Sequence, residues 1–315
     1  MPLRIVFCGT PAFGLPSFKR LATEEDFSVE AVITQPDRPR GRGQKLSNSP
    51  IKNAAAEAGL RIYQPENIRS EAAREFLKSI APDAVVIIAY GQIIPRDLLQ
   101  IPRLGWINLH GSLLPRYRGA APIQRAILQG ETRTGLTTMQ IDAGLDTGPI
   151  LEQREIQIGA GETAPELMAR MAEEGAPLII ETLRNLDRGA ITPKPQDDSL
   201  ATYAPALKKE EGRIDWKQPA QTIYNQIRAL QPWPGTYTRF RDGMCHVWGK
   251  PSEGATATGA AEPGTIVSSR GEMLVACGDQ TWLNISHVQP EGRKRMTARE
   301  FANGARFSPR EQFLF

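Results

Sequence analysis

Leu3-Arg4-Ile5-Val6-Phe7-Cys8 runs directly into Gly9-Thr10-Pro11-Ala12-Phe13-Gly14. A short apolar run rich in β-formers, closed by glycine and proline, predicts a strand followed by a tight strand-to-helix turn. Working outward, Val29 to Thr34, Ala84 to Ala89 and Trp106 to His110 repeat the strand signal, with helical patterns over 51–59 and 71–80 between them. This βαβ rhythm predicts a doubly wound, mostly parallel, Rossmann-like α/β sheet, whose ligands sit beyond the carboxyl ends of the strands. A longer helix is predicted over 163–188. It opens on a capping box, Thr163 and Glu166, buries Leu167, Met171, Leu178 and Leu183, and ends before Gly189, with Gly175 as a candidate break.

At 315 residues the chain exceeds the size at which one core keeps growing, so two domains are expected. Between 190 and 206 the composition shifts to Pro, Asp, Thr and Ser, as in an interdomain linker. The expected division is a catalytic domain over 1–189, a linker over 190–206 and a smaller domain over 207–315. After one helical pattern at 219–230, the smaller domain carries strand signals at Thr236–Phe240, Cys245–Trp248, Met273–Cys277 and Thr281–Ile285, with a loop rich in Ala, Gly and Thr over 251–263. Such spacing predicts a small β-barrel, of which the oligonucleotide-binding (OB-like) type is one form.

The net charge of +3, from 38 basic and 35 acidic residues, is too small to diagnose a nucleic-acid partner. Its distribution says more. Residues 35–50 set Arg38, Arg40, Arg42 and Lys45 against Asp37, and 287–315 hold six basic and three acidic residues, while the remainder is net negative. That asymmetry hints at a polyanionic partner. With no run of ~18 apolar residues, and no basic flank or cleavable apolar stretch at Met1 to Cys8, a cytoplasmic protein without membrane contact is expected. Cys8, Cys245 and Cys277 are odd in number and far apart, which argues against a disulfide framework. Cys245 and His246 are adjacent and would face opposite sides of a strand, so no metal is expected there.

The turn from Gly9 to Gly14 lacks both the GxGxxG spacing and the Lys-Ser/Thr ending of a phosphate-binding loop, leaving a tight turn or a ligand contact as its readings. In Trp106-Ile107-Asn108-Leu109-His110-Gly111, alternation puts Asn108 and His110 on one face and Ile107 and Leu109 on the other. Internal parallel strands are normally apolar on both faces, and each unsatisfied buried polar group costs about 1–3 kcal/mol. The pair therefore marks a functional site at the strand terminus. Downstream, Asp142-Ala143-Gly144-Leu145-Asp146-Thr147-Gly148-Pro149 places two carboxylates in a glycine-rich loop before a strand over Ile150–Ile158. Loop Asp residues commonly form turns, but either could orient the His110 imidazole and stabilise its charged form.

Asn108-x-His110, followed by Ser112-Leu113-Leu114-Pro115, Tyr117-Arg118-Gly119 and Leu145-Asp146-Thr147-Gly148, resembles the shared pattern of the folate-dependent formyltransferases. The likeness covers essentially the whole chain and is nearest to the branch that acts on methionyl-tRNA. Gln35-Pro36-Asp37-Arg38-Pro39 with Gly41-Arg42-Gly43 is similar to that branch's inserted basic loop, Ser112 to Gly130 also matches, and Arg213-Ile214-Asp215-Trp216 and Pro232-Trp233-Pro234 are landmarks of its second domain.

The resemblance implies transfer of the formyl group of 10-formyltetrahydrofolate to the α-amino group of methionine on initiator Met-tRNA, for translation initiation, with neither metal nor ATP. It implies catalytic roles for Asn108, His110 and Asp146, and contact with the folate donor for Ser112, Leu113, Leu114 and Pro115. It further implies tRNA contact by Arg38, Arg42 and Lys45 of the loop 35–50, and by Lys208, Lys209, Arg293, Lys294 and Arg295 of the second domain. The loop, too rich in Gly and Pro to be helical, would order on binding. A monomer is expected. A sugar-amine formyltransferase would share the three catalytic residues, and the arginines of the loop argue against it.

Overall fold

The computed structural model describes residues 1–40, 45–252, 261–269, 272–307 and 311–314. The chain divides into two compact units, one of Met1–Pro122, Arg133–Gln157 and Glu166–Pro205, the other of Ile123–Thr132, Ile158–Pro165 and Ala206–Phe315.

The first unit contains β1 (Leu3–Gly9), β2 (Phe27–Ile33), β3 (Arg38–Arg40), β4 (Lys45–Ser47), β5 (Ile62–Tyr63), β6 (Ala84–Ile88), β7 (Trp106–His110), β8 (Arg133–Gln140) and β9 (Ile150–Gln157). Seven of these make one sheet in the order β5-β2-β1-β6-β7-β8-β9. Pairing is parallel from β5 through β7 and antiparallel for β7–β8 and β8–β9. The central strands are buried on both faces, β6 throughout and β1 from Ile5 to Gly9, which is why they read as unbroken apolar runs rather than alternating ones.

Helices α1 (Leu15–Thr23), α2 (Pro50–Glu57), α3 (Glu71–Ile80) and α4 (Arg96–Leu99) connect the strands. Ser49 caps α2 by accepting from the Lys52 amide, and Ser70 caps α3 by accepting from Ala73. Helix α3 ends at Ala81 in the left-handed region, and its Ala73, Phe76, Leu77 and Ile80 pack with Val6, Ile33, Val85 and Ile87 of the sheet. After α5 (Pro122–Leu128), α6 (Ala164–Asp187) runs on without a break at Gly175 or Pro177. A Cβ at Gly175 would lie 2.5 Å from Leu109 Cδ2, so this glycine lets the helix approach β7 rather than interrupting it. Within 35–50, β3 and β4 pair as a short hairpin, Arg38 opposite Ser47. Asp37 at its base ion-pairs with Lys52 and accepts from Gln64 Nε2 at 3.1 Å. Arg42 lies outside the described residues.

The second unit contains α7 (Ala220–Ala229), β10 (Tyr237–Phe240), β11 (Gly243–Pro251), β12 (Ile266–Ser269), β13 (Glu272–Ala276), β14 (Trp282–Pro290), β15 (Met296–Thr297), α8 (Ala298–Ala305) and β16 (Phe313–Leu314). The strands are antiparallel in the order β12-β13-β14-β11-β10-β16, with β15 against β14. A bridge between Thr265 and Gln312 joins the two ends, reinforced by Ile266 N–H to Glu311 O and Phe313 N–H to Gly264 O, both 2.9 Å. The sheet thus closes on itself as a barrel. Its interior holds Trp216, Val247, Val275, Leu283, Ile285 and Phe313, with Ile223 and Ile227 of α7 packed against them. The Trp216 indole stacks on Phe313 at 5.5 Å between centroids and donates to Thr238 Oγ1 at 2.9 Å. Most of the loop predicted over 251–263 falls outside the described residues.

Candidate active site

Strand β7 carries the polar pair to the carboxyl end of the parallel part of the sheet. Asn108 lies in register with Ile87 on one side and Met139 on the other, and His110 with Thr137. The sheet changes here from parallel to antiparallel. Asn108 is half-buried, and among the described residues its side-chain amide has no hydrogen-bond partner, so it retains a donor for a ligand. His110 is 6% exposed. Its Nε2 lies 3.0 Å from the carbonyl of Tyr117. A carbonyl only accepts, so Nε2 carries the hydrogen, and Nδ1 is left facing Asp146 Oδ2 at 3.7 Å.

The two loop carboxylates have different work. Asp142 accepts from Thr147 Oγ1 at 2.7 and 2.9 Å and from the Gly144 amide at 2.9 Å, and so shapes its own loop. Asp146 has φ of 52°, the left-handed region, and its Oδ2 accepts from the Gly119 amide at 2.8 Å. One carboxylate oxygen thus joins the 117–119 turn to the imidazole.

The segment Ser112 to Pro115 is mostly scaffold. Ser112 is fully buried and its hydroxyl donates to the Arg116 carbonyl at 2.6 Å. Thr137 of β8 joins the turn to the sheet: its hydroxyl donates to Ser112 O at 2.7 Å and accepts from the Leu114 amide at 3.1 Å and Gln153 Nε2 at 3.0 Å. Leu114 is buried, and its peptide bond to Pro115 is cis. Leu113 lies against Gly135, and it and Pro115 stay partly exposed, so these two offer what apolar surface the segment has for a ligand.

Beside this cluster, a polar cleft of ≈ 650 Å³ opens beyond β1, β2 and β6, lined among others by Thr10, Gln35, Asp37, Tyr90 and Gln92. Gln35 Nε2 donates to Tyr90 O at 3.1 Å, and Gln92 Nε2 to Gln35 Oε1 at 3.3 Å. A cleft beyond the carboxyl ends of parallel strands is where such sheets bind ligands. Sequence reasoning missed Gln92 and Thr137, because an isolated glutamine or threonine carries no spacing signal, and named Gln35 only as the start of the basic-loop motif.

Of the basic residues, Arg38 is exposed on β3, and Lys45 begins β4. Lys208 and Lys209 are exposed at a 3₁₀ turn, where the Lys208 amide donates to Glu211 at 2.7 Å. Arg293, Lys294 and Arg295 are exposed between β14 and β15, with the Arg295 guanidinium 4.2 Å above the Trp248 ring. No cluster of three His, Cys, Asp or Glu among the described residues is arranged to hold a metal ion. Burial pushes the thiols of Cys245 and Cys277 up to about 12, so both are protonated at neutral pH. No helix among the described residues is long and apolar enough to cross a membrane.

Residues 3–183 match the family model for formyl transferase, and 206–306 match that for the formyl transferase C-terminal domain. The chain is 52% identical over 310 residues to the methionyl-tRNA formyltransferase of Solibacter usitatus, covering 98% of each. The chain belongs to the methionyl-tRNA formyltransferase family. The same family name attaches to a Geobacter metallireducens protein 48% identical over 98% of this chain and 97% of its own. The fold of the methionyl-tRNA formyltransferase from Clostridium thermocellum superposes with a TM-score of 0.55 at 18% identity, over 88% of this chain and all of that one. An N-formyltransferase from Helicobacter canadensis gives 0.65 at 18% identity, over 92% and 100%. The mostly parallel α/β sheet followed by an antiparallel β domain is therefore the architecture of a methionyl-tRNA formyltransferase.

Proposed function

We propose that this protein transfers the formyl group of 10-formyltetrahydrofolate to the α-amino group of methionine on initiator Met-tRNA, in the cytoplasm and as a monomer. The observation that carries the reading is the convergence of Asn108, His110 and Asp146 at one strand end, in a chain 52% identical to a named methionyl-tRNA formyltransferase. The neutral amine attacks the formyl carbon, forming a C–N bond and a tetrahedral oxyanion. The bond to the folate nitrogen then breaks, the attacking nitrogen loses a proton, and the folate nitrogen leaves with one. The free amide of Asn108 donates to the oxyanion, a contact worth about 2.7–4 kcal/mol in the transition state of related acyl transfers. His110 moves the proton at Nδ1, the nitrogen that the Tyr117 carbonyl does not hold, and Asp146 offsets the charge while the ring carries it. The donor is already activated and the amine is a competent nucleophile, so the chemistry calls for neither ATP nor a metal.

Residues 1–189 supply the catalytic part, and of Ser112 to Pro115 the partly exposed Leu113 and Pro115 border the folate donor, while buried Ser112 and Leu114 hold the turn that presents them. Arg38, Arg42 and Lys45 grip the acceptor end of the tRNA. Beyond the linker 190–206, the OB-like domain over 207–315 holds the tRNA body through Lys208, Lys209, Arg293, Lys294 and Arg295. Phosphate contacts of this kind release counterions, so tRNA affinity falls steeply with salt.

The test is incubation with 10-formyltetrahydrofolate and charged initiator tRNA, beside a nucleotide-linked amino sugar as the rival acceptor. Formylmethionine on the tRNA supports the reading; formyl transfer to the sugar amine alone overturns it.

A further inference from the structure

The residues between Gln196 and Ala204 lie along Pro115–Ala121 and are hydrogen-bonded to them. Arg118 N–H donates to Thr202 O at 2.8 Å, Ala204 N–H to Arg118 O at 2.7 Å, and Ala121 N–H to Ala204 O at 3.1 Å. The Tyr117 amide donates to Thr202 Oγ1 at 2.8 Å. Gly119 has φ of 126°, and a Cβ there would fall 2.7 Å from Ala204 O, so only glycine allows the segment to come this close.

One polar chain crosses this contact. The Arg118 guanidinium, on a residue 2% exposed, donates to Gln196 Oε1 at 3.0 and 2.8 Å and to Asp198 at 2.7 Å. Gln196 Nε2 donates to the carbonyls of Asp146 at 2.8 Å and Gly148 at 2.7 Å. The chemistry fixes the amide's orientation. Arginine has only donors and the loop carbonyls only accept, so the oxygen must face Arg118 and the nitrogen must face the loop.

We propose that Gln196 is a positioning residue for formyl transfer. It ties down the backbone at Asp146, where φ is 52°, so that Oδ2 stays on the Gly119 amide and within 3.7 Å of His110 Nδ1. The proposal rests on the role given to Asp146 above. Glutamine suits this position for a reason that glutamate does not share: glutamate would keep the pairing with Arg118 but would turn an oxygen towards two carbonyls.

The test is Gln196→Glu, made in the wild type and in Asp146→Ala, with formylation kinetics and the backbone amide resonance of Gly119 as readouts. The expected result is a fall in kcat of about tenfold or more, with KM for both substrates within about twofold, and no further fall when the change is added to Asp146→Ala, as for residues that act through one another. The Gly119 amide proton is expected to shift in Gln196→Glu as it does in Asp146→Ala, with amides of β6 unmoved. Additive losses of kcat, or an unmoved Gly119 resonance, would overturn the proposal. Gln196→Met, which removes both donors without adding charge, takes its place if the glutamate variant fails to fold. Should the wild type formylate nothing, the assigned activity falls, while the Gly119 resonance still decides whether Gln196 holds the loop.

Discussion

Around the end of β7, the first unit buries His110, Ser112, Arg118, Thr137 and Thr138, whereas the barrel interior is built of Trp216, Val247, Leu283, Ile285 and Phe313, and among the described lysines and arginines over 207–315 only Arg228 of α7 is buried. Each buried polar group costs free energy unless it is paired. His110, Ser112 and Thr137 are paired with backbone groups of the 112–117 turn, Thr138 with Thr182 and Glu152, and Arg118 with Gln196 and Asp198, and what their burial yields is orientation. The barrel yields stability and a surface. A change at the strand end should therefore alter chemistry more than folding, and a change inside the barrel should do the reverse.

The largest effect that would sharpen this contrast is expected from Asn108→Ala. Loss of one donor to the oxyanion slows the chemical step about 10²–10³-fold. Because Asn108 is half-buried and otherwise unpartnered, the unfolding midpoint should hardly move. Single-turnover kinetics beside thermal unfolding measure both, and a large loss of stability with unchanged kcat would break the comparison. Next comes Ile285→Val in the barrel, where Ile285 is 2% exposed. It should cost about 0.5–1.5 kcal/mol in urea unfolding and leave kcat per folded molecule as it was. The smallest effect concerns Glu211, whose carboxyl is held below the usual range chiefly by its hydrogen bond from Arg125. Its folded value is depressed, so the stabilisation is present above the ordinary value of about 4.3 and is lost as the pH falls through the folded value. Solvent screening keeps it below about 1 kcal/mol. Glu211→Gln should thus be slightly less stable than wild type at pH 7, with the difference shrinking as the pH falls below about 4.3. A difference that persists in acid would show that packing, not charge, is responsible.

The two regions also differed in how far they could be read from sequence. β1, β2, β6 and β7 were legible because strands covered on both faces must be apolar runs, and β10, β11, β13 and β14 because turns punctuate them, while β12, β15 and β16 were not read as strands. β8 was not, since Arg133-Thr134-Gly135-Leu136-Thr137-Thr138-Met139-Gln140 mixes polar and apolar residues without alternation; Thr137 finds hydroxyl partners in the 112–114 turn and Gln153, and Thr138 in Thr182 and Glu152, while the buried Thr134 hydroxyl has none among the described residues. Gly175 misled for a related reason: helix propensity is local, while the close approach of Leu109 that requires a glycine is not. Asp142 and Asp146 look equivalent in a linear sequence, and only the backbone separates the loop-former from the partner of His110. The tie from Arg118 to Gln196 had no local signal at all.

That tie has a consequence for the order in which the molecule can be made. A chain emerging from the ribosome has every strand of the first sheet once Gln157 is out, and the sheet can pair from there. The contacts that orient Asp146 and hold the 117–119 turn need Gln196 and Thr202, which come 78 and 85 residues after the partners they meet. Synthesis halted between those points would leave a paired sheet without its finished reaction centre.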